Sequence, residues 1–394
     1  MSNTINPIPI FLDYHSTTPM DRRIAEAMLR SMTDHFGNAS SADHLFGDHA
    51  AKDVLAARDQ VASLLNSERK AVIFTSGATE SINLGISGFC RRAIKNKKRV
   101  RVGLSRVEHR AVLETCQALA DSGIADLIWL RVDQLGRISL DEVESCCKGG
   151  LDLLCIMAAN NEIGNVYPFN KIGAIAERYG VTTFCDGTQA VGKVPFDFRE
   201  SRISMLAFSA HKIYGPKGVG ALLLDDSIRL ENVYYGGPQE RGIRPGTINV
   251  PGVVGLGLAC RYRQQEMTQD ESRISVMRDH LRDILLVGIP DLKINGDQEN
   301  KLAGNLHISI RDTPNDAVIA RVRHRLAVSS GAACASGVIT PSHVLRAIGL
   351  DEEWSSGSLR LSVGKFTTSE EIEEAGSVLS VEVRKVRDLI GNSC

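Results

Sequence analysis

Short apolar runs alternating with longer amphipathic stretches are what most constrain the fold of this chain. AVIFT at 71–75, DLLCIM at 152–157, VTTFC at 181–185, SMLAF at 204–208 and VGALLL at 219–224 are short, mostly apolar runs of strand length and read as buried strands. Between several of them lie periodic stretches, such as 48–65 and 170–179, that predict helices. Strand and helix repeated in this way over residues 21 to 260 predict an α/β domain built on a mostly parallel sheet.

The pattern changes after residue 260. The polar, periodic RYRQQEMTQDESRISVMRDHLRDILL predicts a long helix, and NLHISI at 305–310 and LRLSVG at 359–364 predict strands separated by helical segments, as in a smaller α+β domain. The bend between the two units is expected near 255–265. With 394 residues there is room for a large domain and a smaller companion.

The 46 basic and 47 acidic residues nearly cancel, which gives no electrostatic reason to expect a nucleic acid or an anionic membrane as the main partner. The basic run KNKKRVRV at 95–102 reads as a solvated helix-to-strand junction. MSNTINPIPIFLDY lacks the basic start, apolar core and small-residue cleavage site of a secretion signal, and no stretch of about 18 apolar residues is present to span a bilayer. Nine scattered cysteines without a CxxC pair fit reduced, cytoplasmic surroundings and predict no metal site.

Polar and small residues then gather just beyond the apolar runs. SGATESINLGISG follows AVIFT: Gly77 permits a tight turn, and the amides there with the hydroxyls of Ser76 and Thr79 suit a phosphate, or simply cap a helix. Asp186 follows VTTFC with Gln189 three residues on, and Asn160, Asn161 and Glu162 stand in the same relation to DLLCIM. Ligands of open α/β sheets collect at such strand ends, although Asp186 serves equally as a helix cap. In FSAHKIYGPKGVG, Lys212 sits between His211 and a Gly-Pro turn; Lys217 precedes Gly218, so the stretch is not the GxxxxGK[ST] phosphate loop. A lysine there is either a surface group or, when desolvated near other cations, an amine able to form an imine. Such a lysine, an aspartate for a pyridine nitrogen and a phosphate-binding helix start are the parts that pyridoxal phosphate needs. SSGAACASG at 329–337 places Cys334 among small residues between Gly331 and Gly337, which by itself describes a buried small side chain as well as a nucleophile on an adaptable loop.

From FLDYHSTTPM at 11–20 to KFTTSEEI at 365–372 the chain resembles the pyridoxal-phosphate cysteine desulfurases, in the branch of the nitrogenase-type and housekeeping iron-sulfur assembly enzymes. FGNASSADHLFG, FTSGATESINL, VEHRAVLETC, NNEIG, DGTQAVGK, SAHKIYGPKG, ERGIRPGT, SSGAACASG and SLRLSVGKFTT carry the resemblance in order. It implies a fold-type I, aspartate-aminotransferase-like large domain over about 13–260, a small C-terminal domain over 261–394 with part of 1–20, and a catalytic cysteine loop at 331–343. It also implies a homodimer with its sites at the subunit interface.

By the same resemblance Lys212 holds the cofactor as an imine, Asp186 pairs with the pyridine nitrogen, Gln189 bonds the ring hydroxyl, and His109 lies over the ring and moves protons. Gly77, Ala78, Thr79, Ser209 and His211 would hold the phosphate, with Thr247 reaching in from a second subunit. Arg360 would clamp the substrate carboxylate with Asn161 beside it, and Cys334 would be the nucleophile that takes sulfur from L-cysteine as a persulfide and passes it to an acceptor protein. The implied outlets are iron-sulfur cluster assembly, tRNA thiolation or DNA phosphorothioate modification. The other cysteines read as packing, and Cys394 has no matched role. Ala335 and Pro245 depart from the commoner wording of the family motifs and touch the acceptor and the subclass, not a catalytic group. A selenocysteine lyase or related aminotransferase is the alternative within the cofactor class, and a non-catalytic sulfur-transfer scaffold the alternative outside it.

Overall fold

In the computed structural model, which describes residues 8–96, 98–330 and 342–391, the apolar runs assemble into one seven-stranded sheet. Its order is Val72–Thr75, Gly220–Leu224, Met205–Ser209, Thr182–Asp186, Leu153–Met157, Val100–Ser105 and Ala125–Leu130. Only Gly220–Leu224 runs against the others. Neighbouring side chains on a strand point to opposite faces. Leu206 and Phe208 therefore join one apolar cluster with the helix Leu45–Leu64, while Met205 and Ala207 join a second with the helix Arg110–Asp121. Helices on both faces explain why these strands carry no polar alternation.

A 39-residue helix, Val250–Gly288, starts earlier than its polar part suggests. Asn249 caps it by accepting from the Gly252 amide, and Pro251 fits the first turn, where no intrahelical donor is needed. At about 1.5 Å per residue it is long enough to serve two cores. Val253, Leu256 and Cys260 pack in the large sheet's cluster, and Ile274, Leu281 and Leu285 in a separate one. Between them Arg263, 1% exposed, donates to Gly192 O at 2.7 Å and pairs with Asp270 and Glu271 at 2.5 and 2.7 Å, so its buried charge is fully met. The expected domain boundary at 260/261 falls inside this helix.

The second cluster covers an antiparallel sheet in the order Ser358–Ser362, Asn305–Ile310, Leu292–Ile294, with the helices Asn315–Val322 and Ser369–Gly391 packed on it. The N-terminal segment belongs to both halves. Ile10–Phe11 pairs in parallel with Leu326–Ala327, and Leu12 O accepts from the Ser362 amide. A few residues on, the Thr18 amide donates to His211 O and the Asp21 amide to Tyr214 O. Residues 10–21 thus form a strap from the small sheet to the turn after Met205–Ser209.

Candidate active site

Six strands of the large sheet run the same way, so their carboxyl ends open on one edge, and the polar segments that follow them meet there. A cavity of about 1250 Å³ lies at this edge. Gly77, Ala78, Thr79, His109, Asn161, Asp186, Gln189, Ser209, His211, Lys212 and Arg360 all line it. Thr247 is exposed and does not. Cys334, with the rest of residues 331–341, and Cys394 lie outside the described residues.

Gly77 opens the turn after Val72–Thr75 at φ 152° and ψ −179°, a conformation open essentially to glycine alone. Its amide donates to Thr75 Oγ1, whose hydroxyl also meets Ser81 Oγ at 2.8 Å. Asp186 ends Thr182–Asp186 with its side chain buried, and Oδ1 accepts from the Thr188 amide at 2.9 Å. Gln189 is used at both ends of its amide: Nε2 donates to His15 O at 2.8 Å and Oε1 accepts from the half-buried Lys193 Nζ at 2.7 Å. His109 caps the helix Arg110–Asp121, its Nδ1 accepting from the Ala111 amide.

Lys212 sits in the short turn after Met205–Ser209, and Nζ donates to His15 O and Ser16 O at 2.6 Å each. Burial, and then the Arg360 charge, push its pKa down to about 8, so a usable fraction of the amine is neutral near physiological pH. Burial and the neighbouring lysines likewise push His211 down to about 4, which leaves a neutral ring beside Thr17 Oγ1. Arg360 comes from the other half of the molecule, in Ser358–Ser362, where its backbone pairs with Ser329. Its Nη1 donates to Asn161 O at 3.0 Å and its Nη2 to Asp13 Oδ1 at 2.7 Å, while the buried Nε has no partner among the described residues.

A class-V aminotransferase family model matches residues 10–374. The cysteine desulfurase IscS of Anaeromyxobacter dehalogenans is 40% identical over 384 residues, 97% of this chain and 94% of its own. Among solved structures, a NifS-like protein matches at TM-score 0.86 and 30% identity over 98% of this chain and all of its own. SspA in complex with cysteine matches at TM-score 0.79 and 30% identity over 91% of this chain and all of its own. The chain belongs to the pyridoxal-phosphate-dependent cysteine desulfurases of the class-V aminotransferase family.

The residues of this desulfurase fit that cofactor: an amine with a lowered pKa, a buried carboxylate, and hydroxyls of Thr79 and Ser209 beside a glycine turn line one cavity. Among the described residues no group of three or more His, Cys, Asp or Glu could hold a metal ion, and no helix is long and apolar enough to cross a membrane.

The cavity also exposes groups that sequence reasoning left without a role. His15 is 3% exposed and lines it, and burial, then Lys193, Arg360 and Lys212, hold its pKa well below the usual value. Glu162 is buried at its wall, pushed up to about 7 by burial, and accepts from Ser342 Oγ. Asn160 instead is spent on the turn: Oδ1 accepts from the amides of Glu162 and Ile163, and Nδ2 donates to Val107 O. Cys90, Cys116, Cys147, Cys155, Cys185 and Cys260 are buried and free, the positions of packing side chains.

Proposed function

We propose that in this cysteine desulfurase Lys212, Asp186, Arg360 and Cys334 divide the chemistry. What carries the reading is the meeting of the Lys212 amine and the Arg360 guanidinium, from opposite halves of the chain, in one cavity walled by Asp186. Pyridoxal phosphate, when bound, withdraws electrons from the substrate α-carbon and so makes its proton removable. Lys212 would hold the cofactor through its amine and afterwards take and return the α-proton, a task that suits a pKa of about 8. The buried Asp186 would keep the pyridine nitrogen protonated, with Gln189 at the ring hydroxyl and His109 over the ring. The Gly77, Ala78 and Thr79 turn with Ser209 and His211 would take the phosphate, joined by Thr247 of a second subunit. Arg360 would orient L-cysteine through its carboxylate, beside Asn161.

Cys334, as thiolate, would bond to the sulfur of L-cysteine while the substrate carbon–sulfur bond breaks. The bonding pair stays with carbon, protonation there gives L-alanine, and Cys334 keeps the sulfur as a persulfide for a protein acceptor. The exposed apolar side chains Leu29, Met32, Phe36, Leu45 and Phe46 support a homodimer in which a second copy covers them. Free cysteines among the described residues support a cytoplasmic setting.

The test is Cys334→Ser in the cofactor-loaded enzyme. A serine hydroxyl stays protonated near neutral pH, whereas a thiol with an unperturbed pKa of about 8.5 supplies thiolate. The variant should still bind L-cysteine and change its cofactor spectrum, yet form no L-alanine catalytically. Wild-type protein given L-cysteine without reductant should gain about 32 Da, one sulfur, on the peptide that contains Cys334. Normal turnover by the variant, or the added sulfur on another cysteine, would refute the assignment.

A further inference from the structure

The strap carries a carboxylate to which the mechanism above gives no task. Asp13 forms a bridge with Ser362, two residues after Arg360 on the same strand, and this register sets it beside the guanidinium. Asp13 Oδ1 accepts from Arg360 Nη2 at 2.7 Å, with the arginine side chain 7% and the aspartate side chain 20% exposed. So little water around the pair means that a second anion at Arg360 feels the first one strongly. The strap continues at once to Lys212: Ser16 Oγ donates to Asp13 O at 2.8 Å, and the carbonyls of His15 and Ser16 hold the lysine amine. Asp13 therefore bears on both cations of the site: it bonds to Arg360, and its charge acts on Lys212 in the direction opposite to that of Arg360.

We propose that the Asp13 carboxylate is a built-in occupant of Arg360, with which the carboxylate of L-cysteine must compete for the guanidinium. The proposal rests on the reading of Arg360 as the substrate clamp. Nη1 and Nη2 each keep a second hydrogen beyond those given to Asn161 and Asp13, so an incoming carboxylate finds donors but meets a negative neighbour across them. An α-amino acid would offset that repulsion through its amine, which a simple carboxylic acid lacks and for which the bound cofactor would supply a partner. A simple carboxylic acid has nothing with which to offset it, so Asp13 makes the pocket selective for amino acids over other carboxylates.

The experiment is calorimetric binding of 3-mercaptopropionate, which has the thiol and carboxylate of the substrate but no amine, to the cofactor-loaded protein under reductant. Asp13→Asn should bind it at least about tenfold more tightly than the wild type, about 1.4 kcal/mol. Asp13→Ser, a smaller neutral replacement, should do the same, so the proposal does not depend on one variant folding. Asp13→Glu, which keeps the charge, should bind it no more tightly than the wild type. Arg360→Gln separates the two readings. If it leaves the affinity unchanged, Arg360 is not the clamp and both readings fall. If it weakens binding while neither neutral Asp13 variant strengthens it, the clamp stands and the proposal for Asp13 is overturned.

Discussion

The lowered pKa of Lys212 can be read directly in the cofactor-free protein by measuring how its amine reacts as pH is raised. With a pKa near 8 about 9% of the amine is neutral at pH 7, whereas at the ordinary 10.5 about 0.03% would be, a ratio of roughly three hundred. Brief pulses of acetic anhydride across pH 6.5 to 11, read by peptide mass analysis, should give Lys212 a midpoint near pH 8. Lys70 provides the internal contrast: it is exposed, and the hydrogen bonds it donates to Asp226 and Glu68 hold its pKa above the usual lysine value, so its midpoint should lie higher.

Burial is the larger cause of the Lys212 shift and the Arg360 charge the second. Arg360→Gln should therefore move the midpoint upward without restoring 10.5, and the Asp13 carboxylate it releases from pairing acts in the same direction. The sign for stability follows. An unfolded chain binds this proton more tightly than the folded one, so burying the ammonium costs about 3 kcal/mol below pH 8, and the cost fades as pH rises toward 10.5. A Lys212 midpoint coincident with that of Lys70, or a downward shift in Arg360→Gln, would refute this account of the site.

Two further outcomes can be checked. Arg360→Lys keeps the charge but replaces a planar fork by a point charge, so kcat/KM for L-cysteine should fall at least about tenfold; an unchanged value is incompatible with a bidentate clamp. Glu240, its side chain 2% exposed, meets both Arg58 Nη atoms at 2.5 and 2.9 Å and accepts from the Phe74 amide at 2.7 Å. Glu240→Gln leaves that arginine charge without its partner and should lower stability to urea by about 3–5 kcal/mol, and a loss under about 1 kcal/mol would mean that the pair behaves as a surface one.

The parts of this molecule that could be read in the sequence are those whose signal is local. Leu153–Met157, Thr182–Asp186 and Met205–Ser209 are buried almost throughout, so a short, mostly apolar run betrays each of them, and Asn161, Asp186 and Lys212 are found simply by reading to the strand ends and just past them. Ala125–Leu130 escapes the same reading because it is an edge strand with Asp126 and Trp129 in solvent, and Ile10–Phe11 because two residues have no period. Arg360 sits in mid-strand, where a charge argues against burial, and only resemblance singles it out. Asp13 shows the limit most plainly. Its partner is 347 positions away, and His15 O meets Lys212 across 197. No spacing rule spans such distances; they are closed by the strap, which pairs with Leu326–Ala327 at one end and with the His211–Tyr214 turn at the other. Because the two cations of the site come from halves of the chain with separate apolar clusters, their spacing depends on that strap as much as on either sheet. A segment with almost no regular structure of its own thus ties the strand that carries Arg360 to the turn that carries Lys212.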